Sequence, residues 1–170
     1  MSHVAKVDVE VTNLDDLEAA CRRIGLELVR GQTEYRWYGE TVGDYPLPDG
    51  FRGDDLGHCD HAIRVPLDHP YQNREHYTDD MGVFHAARTP YEIGVVIRRD
   101  GKPGFHLLWD FWQGGYGLSE FLGVGKTAGE MPRLKQAYAV CAAMRAAKQR
   151  GFRVQEQQQA DGTVRMLLTK

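Results

Sequence analysis

The sequence predicts an α+β fold of ferredoxin-like plan: one antiparallel sheet, two helices on one of its faces, and a large central insertion. Three observations carry that expectation. Apolar and polar residues alternate at the start of the chain, as in a strand with one solvated face. A helix leading through a basic residue and a glycine into a strand occurs twice, at Arg23-Ile24-Gly25-Leu26-Glu27-Leu28 and at Gln149-Arg150-Gly151-Phe152-Arg153-Val154. Turn signals at Asp100-Gly101 and Asp161-Gly162 join neighbouring apolar runs as hairpins. The resulting order is strand, helix, strand, insertion, hairpin, helix, hairpin, which suits an antiparallel sheet.

In the first strand, Val4 to Val11, Val7, Val9 and Val11 face one way and Lys6, Asp8 and Glu10 the other. Thr12 or Asn13 then accepts from the unpaired N–H groups of a helix whose first turn carries Asp15 and Asp16. Leu14, Leu17, Cys21 and Ile24 form its apolar stripe, and Gly25 supplies a left-handed stop before the strand Leu26 to Val29. Residues 31–90 read as an irregular insertion interrupted by Pro46, Pro48, Pro66 and Pro70, with short strands at Tyr35 to Tyr38 and Ala62 to Val65. A structureless loop of that length is uncommon inside a domain, so the insertion is expected to pack over an edge or the free face of the sheet. Tyr91 to Arg98 and Phe105 to Trp112 form the next hairpin. Its second strand sets Phe105, Leu107, Trp109 and Phe111 against His106, Leu108, Asp110 and Trp112. Pro132 opens a helix with Leu134, Tyr138, Cys141 and Met144 as a buried stripe. The last hairpin turns Val164, Met166 and Leu168 inward and Arg165 outward.

The chain of 170 residues, 42% hydrophobic, is read as a single domain, 1–170, because that length buries enough surface for a core without a disulfide or metal. Twenty-one basic against 24 acidic side chains leave a formal charge of −3, which argues against charge-driven nucleic-acid binding. No run approaches the ~20 apolar residues of a membrane span. Met1-Ser2-His3-Val4 lacks the basic start and apolar run of a signal peptide, so a cytoplasmic location is expected. Cys21, Cys59 and Cys141 are scattered, two of them on helical apolar faces, and are expected to stay reduced.

Chemistry concentrates in residues 54–85, which hold His58, His61, His69, His76 and His85. In an extended chain Cys59 and His61 point the same way, and with His58 they form a candidate set for zinc or iron, although paired ligand spacings are missing. The alternative is that Asp60 and His61 tie the insertion to the sheet by hydrogen bonds. Gly123-Val124-Gly125-Lys126-Thr127 ends like a phosphate-binding loop and suggests a nucleotide or small-ligand sensor. Glu120 stands where the opening glycine belongs, so a glycine-rich connection is the competing reading. Asp110 beside Trp112 suggests either an acid–base partner for His61 or a buried ion pair with Arg64. Tyr35, Trp37, Tyr38 and Tyr45, with Arg30 and Arg36, suit a protein interface better than base stacking in a net acidic chain. The candidate interface is therefore Tyr35, Trp37, Tyr38, Arg64, Asp110 and Trp112. No Gly-x-Ser-x-Gly elbow or complete catalytic set is present. The expectation is a non-catalytic accessory or binding protein without a resident cofactor, recognising another protein through its aromatic insertion. A metal-dependent enzyme or metal-binding protein using residues 58–61 is the first alternative and the nucleotide or small-ligand sensor the second.

The Met1-Ser2-His3 start before a strand, Asn13-Leu14-Asp15-Asp16-Leu17, Leu134-Lys135-Gln136-Ala137-Tyr138, and Gly151-Phe152 running into Asp161-Gly162-Thr163 carry a family likeness. Together they resemble the plastid and cyanobacterial "hypothetical chloroplast reading frame thirty-five" proteins, a domain of unknown function also met in bacteriophages. The resemblance covers the two ends of the chain. Gly57-His58-Cys59-Asp60-His61 departs from the plastid form and looks like a phage or bacterial branch. The resemblance implies an accessory role beside a ring-forming ATPase and supplies no catalytic residue.

Overall fold

The computed structural model describes residues 3–41, 43, 45–73, 76–78, 84–86, 89–123 and 130–170. The valine alternation becomes β1 (Val4–Val11). Asn13 caps α1 (Leu14–Arg23), its side chain accepting from the Asp16 N–H at 3.0 Å. The Thr12 and Asn13 N–H groups donate to the Tyr138 hydroxyl at 2.9 and 3.2 Å, so the later long helix closes the start of the first. Gly25, at φ 82°, turns the chain into β2 (Glu27–Arg30). There follow β3 (His61–Arg64), the short pair β4 (His76–Thr78) and β5 (Phe84–Ala86), then β6 (Ile93–Ile97) and β7 (Phe105–Asp110). Short α2 (Leu118–Leu122) precedes α3 (Pro132–Gln149), which has proline in its first turn, and β8 (Arg153–Gln158) and β9 (Val164–Thr169) end the chain.

The main sheet has five strands in the order β1-β7-β6-β3-β2, every neighbouring pair antiparallel. Ala5, Trp109, Ile93 and Ile63 form one row across it. Val7, Ile63, Ile93, Val95, Leu107 and Trp109 meet Leu17 and Cys21 of α1, Leu118 and Leu122 of α2, and Leu134 and Tyr138 of α3. This gives the α+β class, with the helices on one face. Each large apolar side chain buried there contributes about 1.5–3 kcal/mol relative to exposure. On the other face Val4, Ala62, Val96 and Leu108 are covered by Tyr35 and Leu56, with Trp37, Phe51 and Cys59 packed around them.

Four expectations change. The expected strand at Ala62 to Val65 forms as β3, an inner strand between β2 and β6, so the stretch 31–90 builds part of the sheet as well as covering it. Tyr35 to Tyr38 is not a strand; nearby, only an isolated bridge joins Glu34 to His58. The last hairpin forms its own two-stranded ribbon, with Leu168 51% exposed, so its inward alternation fails at that end, while Arg165 is exposed as expected. The ribbon is tied down by an Arg23–Glu156 ion pair and by Gln136 Nε2 donating to the Gly162 carbonyl at 2.8 Å. Within α3, Leu134 and Tyr138 are buried, whereas Cys141 and Met144 are only half-buried. All three cysteines are free, and among the described residues no helix is long and apolar enough to cross a membrane.

Candidate functional site

Alternation along β7 sends Asp110 to the insertion-covered face, the side of Leu108, where it is fully buried. Its Oδ1 accepts from the His3 N–H at 2.9 Å and the Trp112 N–H at 3.0 Å, and its Oδ2 from the Tyr38 N–H at 3.2 Å. The donors come from the N-terminal segment, the insertion and the turn after β7, and each belongs to a residue with an aromatic ring. Burial pushes the Asp110 carboxyl upward, against the opposing pull of those three N–H groups.

Glu92, also buried, immediately precedes β6, whose first residue Ile93 pairs with Trp109. Its Oε2 accepts from the Arg36 N–H at 2.8 Å and Gln32 Nε2 at 2.9 Å, while its own N–H donates to the Arg36 carbonyl at 2.8 Å. The N–H groups of residues 36 and 38, which a ladder would have used, end on two carboxylates. That is why the segment lies along the sheet without joining a strand. Tyr35 is only 3% exposed, and its ring lies so close over Gly94 that a Cβ there would meet Cδ1 at 2.5 Å. Gly57 makes room for Trp37 in the same way, at 2.5 Å from Nε1.

Around Asp110 the rings form a cluster. His3 stacks on Trp112 with centroids 5.0 Å apart and planes at 10°, and tilts against Tyr45 at 5.4 Å and Phe111 at 5.3 Å. Tyr45 meets Phe111 edge-on at 5.2 Å. All four are half-buried, as are Trp37 and Tyr38. Trp112 is placed by an unusual turn in which Gln113, Gly114, Gly115 and Tyr116 are all left-handed, at φ 51°, 61°, 58° and 53°. Glycine adopts this readily; for the two non-glycine residues it costs about 1–2 kcal/mol each. Opposing that cost, the Gly115 carbonyl accepts from the Tyr91 N–H at 3.0 Å, and buried Tyr116 packs edge-on against Tyr91 at 5.0 Å.

The structure separates the sequence-predicted site residues. Trp37, Tyr38 and Trp112 reach the surface; Tyr35 is core; Asp110 is the buried anchor. Arg64 pairs with Glu27 on β2, so the expected Asp110–Arg64 ion pair does not form, and both Asp110 oxygens face backbone donors instead. Asp110 is not paired with His61 either. Cys59 packs into the insertion-side cluster and its Sγ donates to the Gln32 carbonyl at 3.1 Å. Burial, reinforced by Glu92, pushes that thiol up to about 12. His61 instead meets Phe105, which belongs with the helix-side core, edge-on at 5.5 Å, and its Nδ1 accepts from the Gly31 N–H at 3.0 Å. The two therefore point apart, because the chain leaves extended geometry at Asp60, and His58 is exposed. Asp60 ties the segment to β6: its N–H donates to the Val95 carbonyl at 3.0 Å and its Oδ2 accepts from the Ile97 N–H at 2.7 Å. Among the described residues, no group of three or more His, Cys, Asp or Glu side chains is placed to share a metal ion. The side chains of His76 and His85, and Gly125-Lys126-Thr127, lie outside the described residues.

Sequence reasoning missed Glu92, His3 and the left-handed turn. The available signals were a lone acid inside the apolar run Tyr91 to Ile97 and the glycine triplet Gly114, Gly115 and Gly117.

Residues 69–167, more than half of the chain, match the family described as "Protein of unknown function (DUF1257)", and the chain belongs to that family. Glu92, Asp110 and Trp112 lie inside the matched stretch; His3, Tyr38 and Tyr45 precede it. No curated protein and no solved structure matches the chain.

Proposed function

We propose that this member of a family of unknown function is a non-catalytic accessory protein that recognises another protein through the half-buried aromatic surface around Asp110. One observation carries the reading: a single buried carboxylate holds the backbones of His3, Tyr38 and Trp112, three ring-bearing residues from three distant segments. Rings fixed in this way offer contact area at low ordering cost, which is how aromatic anchors dominate protein interfaces. Asp110 serves position rather than proton transfer, since both its oxygens already accept from N–H groups. The resemblance of the chain ends to the plastid and phage proteins makes a ring-forming ATPase the partner to try first, in a cytoplasmic setting and with no cofactor required.

The test is capture of a purified ring-forming ATPase from the same source by immobilised wild-type chain, Trp112→Ala, Tyr38→Ala and Trp37→Ala. Truncating an anchor lowers affinity by more than about tenfold, with the melting temperature of Trp112→Ala staying close to wild type. Equal capture by all four chains overturns the aromatic surface. Absence of capture by wild type removes the ATPase as partner.

A further inference from the structure

On the helix layer, across the sheet from the insertion, an open groove of about 650 Å³ runs between α1 and α3. Its walls are one face of each helix: Asp16, Ala19 and Arg23 recur at helical spacing on α1, and Cys141, Met144, Arg145 and Lys148 do so on α3. Ala19, Cys141 and Met144 give an apolar floor, and all three are half-buried, so this floor is left open by the protein itself.

The rim is cationic. Arg23, Arg145 and Lys148 surround the groove against one acid, Asp16, and that acid is already neutralised: both of its carboxylate oxygens accept from Arg145 Nε, at 3.0 and 2.9 Å. Arg23 likewise holds the Glu156 carboxylate from the terminal ribbon. Both arginines of the rim therefore hold carboxylates at the groove edge. Exposed Lys148 is the rim cation for which no carboxylate partner occurs among the described residues. From Cys141 to Lys148 the helix rises about 10 Å, close to the extended length of a medium saturated chain. We propose that this groove binds a small amphiphile, a medium-chain carboxylate whose tail lies over Ala19, Cys141 and Met144 and whose head pairs with Lys148. Charge complementarity selects an anion, and the floor selects an apolar tail.

Cys141 in the floor is the reporter. Its alkylation by N-ethylmaleimide, followed by peptide mass spectrometry to separate it from buried Cys21 and from Cys59, is measured on the full chain with octanoate or with octanol. Octanoate slows Cys141 alkylation at least about fivefold, while octanol at the same concentration slows it less than about twofold. Lys148→Gln raises the octanoate concentration needed for half-protection by about fivefold, the size of one exposed ion pair. Met144→Glu, which sets a carboxylate in the floor, removes protection with the melting temperature unchanged. Equal protection by octanol, or full protection of Lys148→Gln at the wild-type concentration, overturns the carboxylate site. No protection by octanoate at millimolar concentration overturns the small-molecule occupant altogether and leaves the groove to a protein segment. None of these outcomes touches the aromatic surface, so the two proposals fail separately.

Discussion

The helix-covered face of the sheet and the insertion-covered face are held by different means. Under the helices, Val7, Ile63, Leu107 and Trp109 interlock with Leu17, Leu118 and Leu134, and apolar burial suffices. Under the insertion, Val4, Ala62 and Leu108 provide a thinner apolar base, and the irregular chain is fastened by Asp110 and Glu92 collecting its N–H groups. Regular helices satisfy their own backbone; an irregular segment laid on a sheet cannot, so the sheet must bring acceptors to it. The first face specifies the fold. The second fixes where particular side chains emerge.

The largest effect that sharpens this contrast is expected on the helix side. Trp109→Ala empties a fully buried site and should cost about 3–5 kcal/mol, read as a lower urea midpoint for the whole domain. Gly94→Ala strikes the other face, where the new Cβ meets the Tyr35 ring, and an overpacked site of this kind loses about 1–3 kcal/mol. Combining it with Tyr35→Ala should cost less than the sum of the two single changes; strict additivity would mean that the ring does not lie over residue 94. Asp110→Asn is next: its amide can still accept through one oxygen but turns a donor toward the Tyr38 N–H, for a loss of about 1–3 kcal/mol at neutral pH.

That substitution also carries a pH signature. The native Asp110 carboxyl is raised by burial, so between the unfolded value of about 3.9 and the raised native one the folded state holds a proton that the unfolded chain has released. Stability from this group therefore grows as pH falls through that window and is lost as pH rises. The advantage of wild type over Asp110→Asn should widen on acidification from neutral pH; a gap that narrows contradicts a desolvated carboxyl. The smallest effect is expected for Arg64→Met, which loses only a partly exposed pair with Glu27 and should change stability by less than about 1 kcal/mol. A larger loss would mean that Arg64 has a part in anchoring the insertion after all.

How much of this was legible in the sequence follows the same division. Where structure is periodic, residue type announces it: the valines of β1, the Asn13 cap, the Gly25 stop and the Tyr91 to Trp112 hairpin all read correctly, because each depends on neighbours a few residues away. The insertion resists such reading because its partners are remote. Nothing near Tyr38 indicates that its N–H will end on Asp110, and alternation at Tyr35 to Tyr38 imitates a strand whose ladder is replaced by side-chain acceptors. Cys59 and His61 look like a pair only if the chain stays extended, and Asp60 bends it. The C-terminal hairpin has strand periodicity in itself, but no local feature says which sheet it joins. Asp110 was singled out correctly as a buried acid, while its partners were assigned to cationic side chains instead of backbone.

The central claim is that one carboxylate orders three aromatic segments, and amide hydrogen exchange followed by NMR in wild type and Asp110→Asn tests it most directly. The account predicts that the Tyr38 amide loses protection most, that those of His3 and Trp112 fall with it, and that the Val95 and Leu107 amides of the sheet interior exchange as before. Unchanged protection at Tyr38, or loss spread evenly through the sheet, would contradict it.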